Sequence, residues 1–296
     1  MRARALDRLA TVVLTLFAVL IIGLLLGLVG FILSKGWHKL NWDFISSPPQ
    51  IVKAGGGVGP QLFNSLYLLV LTMLIALPLG LGAGIYMSEY APDNRFTRFI
   101  RLSMEVLSSL PSIVVGLFGL VVFVQMTGLG YSLLSGALAL TVFNLPLLVR
   151  VTEDAIRSVP QDQKEASLAL GVTKWRTIVS VILPAAVPGI VTGAILASGR
   201  VFGEAAALLF TAGMSSPDLV FTNFDVSSAT SPLNPFRPAE TLAVHIWKVN
   251  SEGMIPDARA VADGSAAILV LTVLVFNICA RWFSRWIFRR TTSGEA

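Results

Sequence analysis

The chain has 296 residues, of which 54% are hydrophobic and 13% are charged. Soluble domains average about 25% charged residues, so this composition excludes an ordinary soluble domain and places the protein in a membrane. The net charge of +5 is distributed over several short segments, which excludes the concentrated basic face of a nucleic-acid-binding domain.

Long uncharged runs predict six membrane-spanning helices in an all-α integral membrane fold. A helical span needs about 20 mostly apolar residues. The run from Val106 to Val149 has 44 uncharged residues, which is too long for one span, and a turn at residues 128–132 divides it into two. The predicted spans are residues 11–33, 64–87, 106–126, 131–149, 181–210 and 265–286.

Lysine and arginine residues predict the orientation of these spans. Four segments on one side contain 15 of these residues in 71 positions, whereas the three segments on the other side contain 6 in 87. Cytoplasmic loops are enriched in Lys and Arg, so both termini are predicted to be cytoplasmic. The basic segments are residues 1–10, 88–105, 150–176 and 281–296.

The predicted spans form a single transmembrane domain, residues 11–288, between cytoplasmic tails at 1–10 and 289–296. A polar loop at 150–180 joins the fourth and fifth spans on the cytoplasmic side. The outer segment at 211–263 has 53 residues, which is long for a connection without a function. Its length therefore favours a docking surface. Within it, residues 238–250 could form a short amphipathic helix at the membrane surface.

The sequence contains no recognisable nucleotide, metal or catalytic motif. No Gly-Lys pair occurs, so the usual P-loop is absent and any ATP hydrolysis would require a partner chain. The single cysteine, Cys279, cannot form a disulfide within the chain. His38 and His245 lie far apart in the outer segments and predict no metal site. We therefore expect no cofactor in this chain and no enzymatic activity of its own.

The polar loop carries a spaced pattern, Glu-Ala-Ser-x3-Gly-x9-Val-x-Leu-Pro, which ends at Pro184. This pattern resembles the cytoplasmic signature of ABC importer permeases, in which the segment docks on a separate ATPase. Ser167 stands where Ala is usual in that signature, and Val181 stands where Ile is usual. The coupling residues that the resemblance implies are Glu165, Ala166, Ser167 and Gly171.

Two charged residues, Arg200 and Glu204, lie deep within the fifth apolar run. Their spacing of four predicts that they share one face of a helix. Charges within a bilayer are costly and usually face a bundle interior or a water-filled cavity. The pair is either a salt bridge that fixes helix packing, or an anion pathway in which Glu204 holds Arg200 in place.

Four stretches in chain order narrow the resemblance to the A-type membrane subunit of the bacterial phosphate-specific ABC importer. The stretches are residues 55–60, 86–90, 110–118 and 203–213. Ala207 stands where that family often has Pro. The resemblance implies a type I importer permease fold, import of inorganic phosphate and a location in the bacterial cytoplasmic membrane. Its implied partners are a homologous second permease subunit, a dimeric ATP-binding subunit, an extracytoplasmic phosphate-binding protein and the lipid bilayer.

Three alternatives remain open at the level of the sequence. A permease of the same class could carry another oxyanion, such as sulfate, molybdate or phosphonate. A secondary transporter driven by an ion gradient is a second alternative, although no internal repeat of the kind common in such folds is evident. A channel or a structural membrane subunit is the third. Neither a secondary transporter nor a channel or structural subunit would need the polar loop at 150–180 to dock an ATPase.

Overall fold

The computed structural model describes residues 2–50, 54–253 and 255–292, so residue 1 and residues 293–296 of the predicted tails lie outside it. The described elements are helical and include no β-strand, which confirms the all-α fold. The α-helices are α1 (Arg2–Gly36), α2 (Trp42–Ser46), α3 (Gly59–Glu89), α4 (Arg95–Ser109), α5 (Ser112–Gly119), α6 (Leu133–Arg157), α7 (Gln161–Ala169), α8 (Lys174–Thr177), α9 (Leu183–Gly203), α10 (Ala206–Leu209), α11 (Leu242–Glu252) and α12 (Ala258–Thr292).

Five of the described helices are long and apolar enough to cross a membrane, and a bent pair makes a sixth candidate. The five are α1, α3, α6, α12 and a continuous helix in which α8 and α9 are joined by π-helical residues Ile178–Ile182. The bent pair is α4 with α5, which continues as a π-helix to Met126. These five to six apolar helices agree with the six predicted from composition.

The third predicted span, 106–126, is broken near its start. Its first four residues belong to α4, and the axes of α4 and α5 differ by 103°. The break falls at Pro111, which has no N–H and disfavours helical backbone in the residue before it. Leu110 accordingly has φ −65° and ψ 138°. The predicted span is therefore not one continuous helix, and α4 runs in a different direction from α5.

The fifth predicted span, 181–210, is also not one helix. Helix α9 ends at Gly203, and Glu204 has an extended backbone with ψ 120°. The short helix α10 follows after this break. Arg200 lies in the last turn of α9, whereas Glu204 lies beyond it, so the two residues do not share a helix face. The predicted i,i+4 pair was wrong because the helix stops between them.

The predicted loops are partly helical. Helix α6 continues to Arg157, so the first part of the predicted 150–180 loop belongs to a long helix. The remainder of that loop folds into α7 and α8. The outer segment at 211–263 contains α11, close to the short helix predicted at 238–250, and also the first turn of α12.

Helix α6 lies at the centre of the bundle because small residues let two other helices approach it closely. Gly84 of α3 lies against Thr152, and Gly193 of α9 lies against Val151. A second glycine on each of these helices, one turn away, repeats the contact. Small residues at such crossings bring helix backbones together. As a result, α6 is the most buried of the five long helices described.

A buried polar network joins the start of α3 to the segment before α11. Arg237 is 1% exposed, and its Nη2 donates to the Oδ1 atom of Asn64 at 2.8 Å. The amide nitrogen of Asn64 donates in turn to the backbone oxygen of Glu240 at 2.9 Å. Burial lowers the pKa of Arg237 to about 10, so the side chain stays charged at neutral pH. The network holds this end of the bundle together.

The glycine contacts on α6 predict a large difference between two neighbouring substitutions in α3. A Cβ atom on Gly84 meets the Thr152 side chain at 2.5 Å, whereas a Cβ atom on Gly82 meets nothing within 4 Å. Overpacking a close contact costs about 1–3 kcal/mol. We expect Gly84→Leu to lower the thermal midpoint of the detergent-purified protein and Gly82→Leu to leave it nearly unchanged. Equal midpoints for the two variants would contradict this packing.

Candidate functional site

The coupling segment, defined here as residues 161–177, contains α7, a tight turn and α8. Gly171 forms the turn with φ +76°, a left-handed conformation that favours glycine. Glu165 and Ala166 are exposed on α7, and the space around Gly171 is open. The predicted coupling residues therefore lie on one short helix–turn element.

Exposed apolar side chains accompany these polar residues on the coupling segment. Leu170 is 84% exposed and Trp175 is 59% exposed, and Leu168 is also exposed. Adjacent exposed apolar side chains at the end of a polar loop are typical of a protein interaction surface. The signature pattern does not include Trp175, so sequence reasoning missed it, although a large aromatic residue in a polar loop is itself a signal.

The coupling segment is attached to the rest of the bundle at several points. The hydroxyls of Ser167 and Thr177 lie 2.9 Å apart and close α7 onto the following helix. Beneath them, Ile156 of α6 and Ile178 pack in one buried cluster. Lys164 forms an ion pair with Glu89, the last residue of α3, with the charged atoms 2.6 Å apart. Ser167 therefore serves packing within the segment, while Glu165 and Gly171 face outward.

A second feature is a cavity of about 440 Å³ between α4, α6 and the end of α9. It extends along α6 from Pro146 to Arg157, close to the coupling segment. Four arginines and three carboxylates line it, so its charged groups carry a formal net charge of +1. The charged lining residues are Arg101, Arg150, Arg157, Arg200, Glu105, Glu153 and Asp154.

Glu153 organises two of these arginines. Its Oε1 atom accepts a hydrogen bond from Arg101 of α4 at 2.8 Å and forms an ion pair with Arg157 of α6 at 2.7 Å. The Glu153 side chain is largely buried, whereas both arginines are partly exposed. Removing one partner of a buried charge pair is costly because the other charge is left uncompensated. Glu153 therefore fixes two guanidinium groups at the wall of the cavity.

Arg200 reaches the same cavity without a carboxylate partner among the described residues. Its guanidinium carbon lies 3.7 Å from the ring centre of Phe143, a cation–π contact. Glu204, which was predicted to hold Arg200, instead accepts from the backbone N–H of Ala207 at 3.2 Å. The structure thus places Arg200, but not Glu204, on the lining of the cavity.

Sequence reasoning missed three of the four cavity arginines. It treated Arg101, Arg150 and Arg157 only as evidence of orientation. The spacing in α6 carried a further signal, since Arg150, Glu153 and Arg157 are separated by three and four residues and lie on one helix face. No residue pattern could place Arg101 beside them, because α4 is positioned by the 103° break.

A larger cavity of about 560 Å³ lies at the opposite end of the bundle, beside α11. His245 and Lys248 lie near the Glu240 carboxylate there, with His245 Nδ1 at 3.1 Å. Burial raises the pKa of Glu240, but its contacts with His245, Lys248 and Gln61 together outweigh burial and hold the pKa below its usual value. Among the described residues, no cluster of three His, Cys, Asp or Glu side chains is placed to hold a metal ion.

Comparison with solved structures identifies the fold. A chain of the MetNI methionine ABC transporter, in inward-facing conformations, aligns with a TM-score of 0.58 at 19% identity over 76% of this chain and 93% of that chain. A bacterial alginate ABC transporter, solved in complex with an alginate pentasaccharide-bound periplasmic protein, aligns with a TM-score of 0.59 at 15% identity. That alignment covers 94% of this chain and 93% of the other. These likenesses establish the fold, which is the predicted type I importer permease fold.

Comparison of sequences identifies the family. The probable ABC transporter permease protein YqgI of Bacillus subtilis (strain 168) is 59% identical over 99% of this chain and 100% of its own length. The phosphate transport system permease protein PstA of Xylella fastidiosa (strain 9a5c) is 36% identical over 84% of this chain and 82% of its own. The family of binding-protein-dependent transport system inner membrane components matches residues 76–293. The chain therefore belongs to this family and is a membrane-embedded permease subunit of an ABC importer, not an enzyme.

Proposed function

We propose that this chain is the permease subunit of an ATP-driven importer that carries inorganic phosphate across the cell membrane. The observation that carries the proposal is the cavity in which four guanidinium groups from three helices face one space of about 440 Å³. Guanidinium groups remain protonated and match the geometry of oxyanions. Relatives named as phosphate permeases support this substrate, whereas the name of the 59% identical relative states none.

The carboxylates of the cavity favour phosphate over sulfate or molybdate. Glu105, Glu153 and Asp154 line the same space as the arginines. Near neutral pH inorganic phosphate retains a proton and can donate a hydrogen bond to a carboxylate, whereas sulfate is fully ionised and cannot. Sulfate or molybdate would therefore leave such a carboxylate without the hydrogen bond that the phosphate proton can donate. Phosphonates also retain a proton near neutral pH, so this argument does not separate them from phosphate.

The coupling segment is proposed to dock on a separate ATP-binding subunit. Its exposed residues Glu165, Leu170 and Trp175 supply a mixed polar and apolar surface at the end of the bundle where the arginine-lined cavity lies. The excess of Lys and Arg in this loop supports a cytoplasmic location for it and for both termini. The remaining proposed partners are a homologous permease subunit and an extracytoplasmic phosphate-binding protein, which would dock on the outer segment at 211–263.

The proposed function predicts ATP-dependent uptake of phosphate. The complex purified with its partner chains and reconstituted into proteoliposomes should accumulate labelled phosphate only when ATP is supplied. Uptake should persist when ionophores remove ion gradients, and excess sulfate or molybdate should not inhibit it. Inhibition by sulfate or molybdate would support a permease for another oxyanion. Uptake that follows an ion gradient without ATP would support a secondary transporter.

Arg200 should be essential for phosphate transport but not for assembly. Arg200→Gln removes charged hydrogen bonds worth about 1.5–3 kcal/mol each, so we expect uptake to fall about tenfold or more. Arg200→Lys keeps the charge but loses the planar fork, and should retain partial uptake. The measurement is the initial rate of ATP-dependent phosphate uptake, with the recovery of intact complex measured in parallel.

Arg98→Gln is the matched control, because Arg98 is exposed and pairs only weakly with Asp93 at 3.9 Å. It should transport normally. Glu204→Gln should also leave the complex intact, since the Glu204 side chain forms no ion pair with Arg200 in the described part of the chain. Normal uptake by Arg200→Gln would remove Arg200 from the anion pathway.

Gly171 should be required for coupling rather than for insertion. Gly171→Trp places a bulky side chain on the docking surface and should uncouple ATP hydrolysis from uptake. Gly128→Trp is a close control, because Gly128 also has a left-handed backbone, φ +73° against +76°, and open space around it. The two variants therefore carry similar backbone strain, and only the one in the coupling segment should alter phosphate transported per ATP hydrolysed. Equal effects of the two would contradict the docking assignment.

A further inference from the structure

Helix α3 ends in a contact with the coupling segment. Glu89 is the last residue of α3, and its side chain is 6% exposed. Its Oε2 atom accepts from Lys164 of α7 at 2.6 Å. Its backbone oxygen accepts from Lys174 of α8, whose ammonium group also lies over the ring of Tyr90 at 4.6 Å. One residue of α3 therefore contacts both helices of the coupling segment.

This contact is significant because α3 and the coupling segment are far apart in the chain. The coupling segment is joined covalently to α6 on one side and to α9 on the other, so any displacement of it acts directly on those two helices. Helix α3 lies more than 70 residues away in sequence and has no such connection. Within the described residues, the hydrogen bonds between α3 and the coupling segment are both made by Glu89.

The ion pair between Glu89 and Lys164 is strong because both side chains are largely buried. A carboxylate that is almost completely buried is stable in charged form only while a cation compensates it. Lys164 is itself three-quarters buried, so water screens this pair far less than it screens a pair on the surface. Ile85 of α3 packs against the apolar cluster beneath the coupling segment and keeps the two elements in register.

Helix α3 in turn contacts the central helix of the bundle. Gly84, one turn and a half before Glu89, lies against Thr152 of α6. Thr152 immediately precedes Glu153, which fixes two arginines at the wall of the cavity. A displacement of α3 at Glu89 would therefore act close to the residues proposed to contact the anion.

We infer that Glu89 is a positioning residue that makes α3 move as one body with the coupling segment. Through the ion pair with Lys164, a displacement imposed on α7 by a partner ATPase would reach a helix that the chain does not connect to it. Rigid-body displacement of packed helices is an ordinary mode of such transitions. The inference rests on the proposed docking of an ATPase, and it names the residue that transmits the movement.

The test measures phosphate transported per ATP hydrolysed by the reconstituted complex. Glu89→Gln and Lys164→Gln should each lower this ratio about five- to ten-fold, the lower end of typical coupling between sites. The double variant should resemble either single variant, because both remove the same interaction. The charge-exchanged variant, Glu89→Lys with Lys164→Glu, should recover a large part of the ratio.

A covalent tether provides an independent measurement in case the charge-exchanged protein fails to fold. Glu89→Cys with Lys164→Cys can be joined by a short bifunctional thiol reagent after the single native cysteine is replaced by Cys279→Ser. The tether should raise the transport ratio above that of the unjoined double cysteine variant. Asp93→Asn is the control, since Asp93 lies just after α3 in an exposed and weak ion pair.

The outcomes separate the inference from the proposed function. If the wild-type complex shows no ATP-dependent uptake, the proposed function fails. If the wild type transports and both single variants keep its transport ratio, Glu89 does not transmit movement, and the inference is overturned. The inference is overturned equally if the single variants lose coupling and neither charge exchange nor the tether restores any of it, because the loss is then structural.

Discussion

The cost of placing charge in an apolar medium is the constraint on which this structure depends. A guanidinium group removed from bulk water requires ordered water, a compensating charge or a π-face. Arg101 and Arg157 obtain a shared carboxylate from Glu153, and Arg200 obtains the ring of Phe143. Because these solutions leave part of each guanidinium uncovered, the arginines line the cavity in which the proposed function places an anion. A fully paired set would stabilise the helices and leave nothing to bind.

The same constraint is met differently at the opposite end of the bundle. Arg237 is 1% exposed and donates to backbone oxygens and to Asn64, so its donors are directed into protein rather than into a cavity. This network ties the start of α3 to the segment before α11. The two ends of α3 therefore differ in the contacts that hold them. One is held in a buried polar network, and the other contacts the coupling segment through Glu89, by an ion pair with Lys164 and a hydrogen bond from Lys174 to its backbone oxygen.

Composition predicted the helical membrane fold because a span needs only length and the absence of charge, and both can be read directly from residues. The local breaks were not predicted. Pro111 was visible, but its 103° consequence for α4 depends on how the neighbouring helices pack. The pairing of Arg200 with Glu204 assumed a continuous helix, and the extended backbone at Glu204 removed it. The position of Arg101 beside Glu153, 52 residues apart in sequence, could not be derived from local pattern at all.

The contact at Glu89 shows why a signature motif identifies only one of the two contacts that the proposed coupling requires. The motif marks the docking surface but not the contact with α3. The pattern from Glu165 to Pro184 marks the surface that would meet a partner, since its residues are close together in sequence. The residue of α3 that contacts this segment lies elsewhere in the chain. Nothing near Glu89 in sequence indicates that a lysine 75 residues later will neutralise it. Because the coupling segment is joined to α6 and α9 through the backbone and to α3 through side chains, α3 is the helix whose proposed participation a single substitution can test. The proposed coupling therefore depends on buried electrostatics as much as on the docking surface.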